Sequence, residues 1–299
     1  MHPGALLRGM RPHQWSKNVF VLAALVFAAA DRRVGQEITL ARALAVLAAF
    51  VAFALASSAI YLWNDVVDVE RDRAHPEKRL RPVASGELST RAATGAAVVL
   101  FALALVLAYA QAGGMRAAVI LLAYGAINAA YALALKRIVL VDAFCIAAGF
   151  LLRLSAGGVA AGVEISHWAI LCTLFLALFL ALNKRRAELS NLGDGSVHTR
   201  PSLQSYSLAF LDQMVSVLAA CTIVAYTMYT VDPDTVAKFG AGRELFWSVP
   251  CVAFGLGRYM VLVQNGRGEN PARILLGGDG WFLTNTVVWA AVIGIALFR

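Results

Sequence analysis

Charge is scarce in this 299-residue chain. Lys, Arg, Asp and Glu make up 15% of it, where a soluble domain carries about 25%. The charges are also bunched, and no polar stretch is long enough to fold as a soluble domain. The longest such stretches are 64–91 and 184–206. Cysteine is rare too. Cys145, Cys172, Cys221 and Cys251 are far apart and have neither metal-site nor disulfide spacing. They read as small apolar packing residues. No Ser/His/Asp or Cys/His arrangement for a covalent nucleophile is evident. The first apolar run starts late, lacks a small-residue cleavage site and follows a Trp/Lys segment, so no cleavable signal peptide is expected.

Apolar residues fill what charge leaves. They form 60% of the chain, with a mean hydropathy of +0.69. Runs of roughly 20 residues without charge are long enough to cross a bilayer as helices. They are continuous and do not alternate, which excludes barrel strands. The pattern predicts an all-α polytopic membrane protein with nine transmembrane helices. The spans are 18–31, 41–63, 92–111, 115–135, 138–160, 165–183, 207–230, 244–264 and 281–298. Small residues in Ala-rich spans such as 41–56 permit close helix packing.

The net charge of +8 reads as topology, not as nucleic-acid binding. With the N-terminus and even-numbered loops on one side, that side holds seventeen Lys and Arg against seven on the other. The positive-inside rule puts the N-terminus and the loops 64–91 and 184–206 in the cytoplasm. Nine spans then leave the C-terminus outside. One membrane domain over 1–299 is expected, with its active site in a central cavity at the cytoplasmic mouth, between those two loops.

The first loop opens with Asn64-Asp65-Val66-Val67-Asp68-Val69-Glu70-Arg71-Asp72. Asp65, Asp68 and Asp72 at i, i+3 and i+7 share one helix face. Like charges so placed destabilise a helix, and they stand at the end of an apolar span. A cation relieves both problems. Magnesium takes carboxylate oxygens together with substrate phosphates. The plainer alternative is a solvated helix end.

Pro76 and Pro82 then restrict the backbone. Lys78 and Arg81 put phosphate-binding cations beside the acids. Arg79 is equally well explained as a topology signal. His75, without a second His or Cys nearby, reads as a turn residue.

Taken together, Asn-Asp-x-x-Asp-x-x-x-Asp and His-Pro-x-Lys-Arg-x-Arg-Pro-x-Ala-Ser-Gly resemble the UbiA-type intramembrane prenyltransferase superfamily, over nearly the whole chain. The resemblance implies nine helices and a Mg2+-dependent site at the cytoplasmic mouth. Asn128-x-x-Tyr131 and Leu135-Lys136-Arg137 resemble the end of its fourth helix. Asp142 and Gly149-Phe150-Leu151-Leu152-Arg153 resemble its fifth.

One departure is informative. Where typical members carry a second acidic cluster, this chain has Asn183-Lys184-Arg185-Arg186-Ala187-Glu188-Leu189. With Arg11-Pro12-His13-Gln14-Trp15-Ser16-Lys17-Asn18 and Arg200-Pro201-Ser202-Leu203, this is similar to the decaprenyl-phosphate phosphoribosyltransferase branch. Arg186 departs from the aromatic residue expected at its place.

That branch implies transfer of 5-phosphoribose from phosphoribosyl pyrophosphate (PRPP) to a polyprenyl phosphate in a bacterial inner membrane. The product would feed arabinose donors for cell-envelope glycans. Asp65, Asp68 and Asp72 are then the metal and catalytic residues. Lys17, Asn64, Lys78, Arg81, Tyr131, Lys184, Arg185 and Glu188 are the candidate substrate ligands.

A phosphate nucleophile is already anionic, so no strong base is required. For Glu188, an ion pair with Lys184 and a bond to ribose hydroxyls are equally good readings. Arg153 reads as a bundle anchor or a cavity-lining group. A homo-oligomer is compatible with all of this. Two other readings compete: transfer of a prenyl group from its diphosphate, and transport. The cationic second loop speaks against the first. Charges gathered in loops instead of at the midplane speak against the second.

Overall fold

The structure, a computed structural model, describes residues 3–31, 39–190, 203, 205–239, 244–266 and 278–298. Every regular element among them is helical. In chain order they are α1 (Pro3–Met10), α2 (Val19–Ala30), α3 (Leu40–Val67), α4 (Val69–Ala74), α5 (Thr90–Gln111) and α6 (Gly114–Leu133). Then follow α7 (Val141–Ala161), α8 (His167–Ser190), α9 (Leu208–Val231), α10 (Pro233–Phe239), α11 (Val249–Gln264) and α12 (Gly280–Phe298). Side-chain caps start several of them, because the first backbone N–H groups of a helix have no partner inside it. Thr39 accepts from Arg42 N, Ser89 from Ala92 N and Ser207 from Phe210 N.

Eight helices among the described residues are long and apolar enough to cross a membrane. They correspond to eight of the nine expected spans. The expected span 18–31 appears as α2, which has 12 residues and follows a 3-10 segment, Pro12–Asn18. Two other expectations shift. The loop expected at 184–206 begins later, since α8 runs on to Ser190. Lys, Arg, Ala, Glu and Leu are all good helix formers. The Arg185–Glu188 ion pair at i,i+3 also favours continuation. In the other loop, α3 reaches Val67 and α4 adds a further turn and a half.

The chain divides into two compact units. One comprises Met1–Ala29, Glu37–Lys136 and Leu152–Glu164. The other comprises Ala30–Gln36, Arg137–Leu151 and Ile165–Arg299. In the first unit α3 packs most extensively on α5, and α6 packs against both. Its interior is largely alanine: Ala24, Ala49, Ala52, Ala56, Ala104, Ala108 and Ala156 are all buried. Between apolar helices in lipid, such small residues bring backbones close and gain dispersion contacts. Gly157 shows the limit. A Cβ there would run into the backbone carbonyl of Val21.

Arg153 is buried in this unit. Its Nε donates to Asn18 Oδ1 (2.7 Å) and an Nη to the Tyr124 hydroxyl (2.7 Å). The guanidinium also lies over the Tyr124 ring, 4.7 Å from its centroid. It therefore anchors α7 to the N-terminal segment and α6. In the second unit α8 packs along α9, with Phe179, Leu182, Leu211 and Tyr259 in the core.

Candidate active site

The acidic motif lies in the first unit. α3 ends at Val67, and Asp68 leaves the helical basin at φ −96°, ψ 10°. The three aspartates therefore do not share one unbroken helix. Even so, the bonds Asp68 N→Asn64 O (2.9 Å) and Asp72 N→Asp68 O (2.8 Å) carry the i−4 spacing across the break. Asp65 and Asp72 are buried, and Asp68 is half-buried.

Each carboxylate meets a cation. Arg11 donates to Asp65 Oδ1. Arg81 bridges two acids, with Nη1 at 2.6 Å from Asp72 Oδ2 and 3.3 Å from Asp65 Oδ1. Lys136 Nζ lies 2.8 Å from Asp68 Oδ1 and 3.0 Å from Oδ2, and Arg71 lies nearby at 3.4 Å. The spacing rule gathers the acids as a like-charged trio. The structure splits them into an Asp65–Asp72 pair under Arg81 and an Asp68 turned to Lys136.

Two oxygens on adjacent residues are left over. Asn64 Oδ1 and Asp65 Oδ2 are buried and accept no hydrogen bond. A buried acceptor without a partner is costly. Both are hard oxygen donors of the kind Mg2+ prefers. No three His, Cys, Asp or Glu side chains group tightly enough among the described residues to cage a metal alone. The donor set fits an ion held by one or two protein oxygens and completed by substrate phosphates.

The remaining candidates of this unit lie on nearby segments of the chain. Lys17 is exposed in the Pro12–Asn18 turn, and Lys78 opens the short 3-10 turn Lys78–Leu80. Tyr131 is half-buried near the end of α6. His75 is a turn residue, as expected: its Nδ1 accepts from Glu77 N (3.2 Å) and Lys78 N (3.3 Å).

The N-terminal segment is pinned to α3. Trp15 Nε1 donates to Ser58 Oγ (3.0 Å), and that hydroxyl donates to Met10 O (3.1 Å). This clamp carries Arg11 to Asp65. Burial lowers the Arg11 pKa, and the Asp65 carboxylate opposes that shift. Reading the sequence missed this cation. Its only mark there is the Arg-Pro pair at the head of the motif.

The second unit holds a separate buried network. Arg185 Nε donates to Asp142 Oδ2 (2.9 Å) and Nη1 to Glu188 Oε2 (2.9 Å). Arg185 is 1% exposed and Asp142 0%. Tyr206 donates to Asp142 Oδ1 (2.9 Å), and its oxygen accepts from Leu140 N (2.7 Å). Burial, reinforced by Asp142, pushes the Tyr206 phenol up to about 12 against the backbone bond from Leu140. Glu188 thus pairs with Arg185, a partner that neither of the two readings of Glu188 from the sequence included. Asp142 also finds its cation on another helix, a pairing that no local spacing reveals. Arg186 pairs with Asp212. Arg200, Pro201 and Ser202 lie outside the described residues.

Comparison with known proteins places this geometry. The model of the UbiA prenyltransferase family matches residues 18–187. A decaprenyl-phosphate phosphoribosyltransferase from Corynebacterium glutamicum is 34% identical, covering 98% of this chain and 86% of that protein. One from Mycolicibacterium smegmatis is also 34% identical, covering 98% and 92%. Among solved structures, a UbiA homolog from Archaeoglobus fulgidus bound to GPP and Mg2+ superposes with a TM-score of 0.69. It covers 99% of this chain and 100% of that one at 18% identity, a likeness of fold. A helical membrane bundle, an Asn-Asp-x-x-Asp-x-x-x-Asp motif ringed by cations and full-length relatives thus converge on one assignment: the chain belongs to the UbiA prenyltransferase family.

Proposed function

We propose that this protein transfers 5-phosphoribose from PRPP to a polyprenyl phosphate, releasing diphosphate, in a Mg2+-dependent reaction at the cytoplasmic face of a bacterial plasma membrane. The observation that carries the reading is 34% identity along nearly the full length to relatives named for that activity. The residues are consistent with it. One acidic motif is present, and the segment after Asn183 supplies cations instead of a second one. PRPP and its lipid acceptor together carry four phosphoryl groups, which suits a site rich in Lys and Arg.

When bound, Mg2+ would neutralise charge on the departing diphosphate. Asp65, with Asn64, would hold it, and Asp68 and Asp72 would complete its carboxylate surroundings. Arg81, Lys78 and Lys17 would receive phosphate oxygens. Lys184 is assigned to a phosphate, Glu188 to the ribose hydroxyls, and Tyr131 to the sugar or the lipid. Arg185 is wholly buried on Asp142, so we assign it to holding Glu188 in place. The acceptor oxygen is already anionic, so the protein's work is alignment and charge stabilisation at C1.

Purified protein given ribose-labelled PRPP and a polyprenyl phosphate should place label in a lipid-soluble product only with Mg2+. Failure of that transfer, alongside prenyl transfer from a polyprenyl diphosphate, would replace this reading with the prenyltransferase one.

A further inference from the structure

The geometry points to Arg11 as a resident counter-cation of Asp65, one that gives way when the metal enters and turns to the diphosphate that arrives with it. This rests on the metal and diphosphate reading above.

Charge balance is the first ground. Arg71, which also reaches Asp68, is largely exposed and screened by water. The partly buried charges are Asp65, Asp68 and Asp72 against Arg11, Arg81 and Lys136, three against three. Adding a divalent ion leaves a partly buried cluster two charges positive until the diphosphate enters. Same-sign charges at such separations repel strongly where water is scarce, so a cation must loosen its hold.

Arg11 is the one built to do so. Arg81 bridges two carboxylates, whereas Arg11 holds Asp65 alone. Arg11 also has a second resting place. Its guanidinium lies 5.1 Å from the centroid of the Tyr61 ring, within cation–π range.

The backbone is the second ground. Arg11 sits at φ 53°, ψ 62°, a left-handed conformation rare for residues other than glycine. Pro12 disfavours the right-handed helical alternative. Trp15, Ser58 and Met10 hold the turn shut. A long charged side chain kept in that basin, aimed into a helix end, is what a positioned counter-ion requires.

The third ground is the carboxylate itself. Arg11 and Arg81 both use Oδ1 of Asp65, and Oδ2 accepts nothing. An ion entering at Oδ2 competes with Arg11 for the same charge without having to displace it from its own atom. Exchange can therefore begin before release.

The test uses the full-length protein in detergent, with Mn2+ binding read by electron paramagnetic resonance and no PRPP present. Arg11→Gly keeps the left-handed turn and removes the guanidinium. It should bind Mn2+ roughly tenfold more tightly than wild type, the scale of one charge-assisted hydrogen bond. Its KM for PRPP should rise by a similar factor. In EDTA its melting temperature should fall, and Mg2+ should raise it by more than it raises wild type. Arg11→Lys should lie between the two. Arg8→Gln, which removes only exposed contacts, to Glu87 and to the Gly4 carbonyl, should match wild type throughout.

Unchanged or weaker Mn2+ binding in Arg11→Gly, or a melting loss that Mg2+ does not rescue, would overturn the inference. Wild type that binds no Mn2+ even after PRPP is added would overturn the metal reading and this inference with it.

Discussion

Buried charges in this protein come in pairs, and the pairs set the cost of changing one residue. Asp142→Asn should destabilise the fold by about 3–5 kcal/mol, because it strands the Arg185 guanidinium away from water. Thermal unfolding in detergent would measure this, and Asp142→Asn with Arg185→Met should recover part of the loss. Asp65→Asn should cost less stability, because its partners Arg11 and Arg81 keep access to water where Arg185 does not. It should lower turnover about 10²–10³-fold, with Mn2+ binding lost in step.

Tyr206→Phe leaves the Leu140 N–H without its acceptor, a loss of about 1–3 kcal/mol. The wild-type phenol also has a pH signature. Folding raises its pKa from about 10 to about 12. Between those values the folded protein keeps a proton that the unfolded chain has lost. The stability due to this group is full below the lower value and declines as pH rises through the upper one. Wild type and the Tyr206→Phe variant should therefore converge in stability across that window.

At the scale of elements, helix α7 is the most constrained. Gly157→Val would push a side chain into the Val21 carbonyl, and a backbone atom cannot swing aside as a rotamer can. Loss of folded protein on size-exclusion chromatography is the expected outcome. Gly257→Ala in α11 meets no atom within 4 Å and should be silent.

The elements were largely legible in the sequence, because uncharged runs and lipid-facing length are local properties. Eight spans appear within a few residues of where hydropathy puts them. What local pattern misses is partnership. Spacing aligns Asp65, Asp68 and Asp72, but Arg11 lies 54 residues before Asp65 and Lys136 lies 68 after Asp68. The i,i+4 rule offers Lys184 to Glu188, yet Arg185 at i,i+3 takes it because Asp142 already fixes the guanidinium. Such choices are made by tertiary contact, and one sequence does not record them.

For the molecule as a whole, the chain is a multi-pass membrane protein of helical bundle type. Its distribution of Lys and Arg gives an orientation to test. A reporter active only outside the cytoplasm should be active when fused after Arg299 and silent when fused within 191–202. The reverse pattern would invert the topology and move the acidic motif to the outer face.

The alanine interior of the first unit has a consequence for how this protein tolerates genetic drift. A core of leucines is damaged by truncation; a seam of alanines has almost nothing left to truncate. Harm comes instead from growth. Each buried alanine, such as Ala56 or Ala104 at 0% exposure, lies where the two extra carbons of a valine must wedge two helices apart. Alanine and valine codons differ by a single base, so a damaging change lies one step away at each of these sites. A saturation scan should show a one-sided landscape along α3 and α5, with glycine and serine accepted and valine and larger residues rejected.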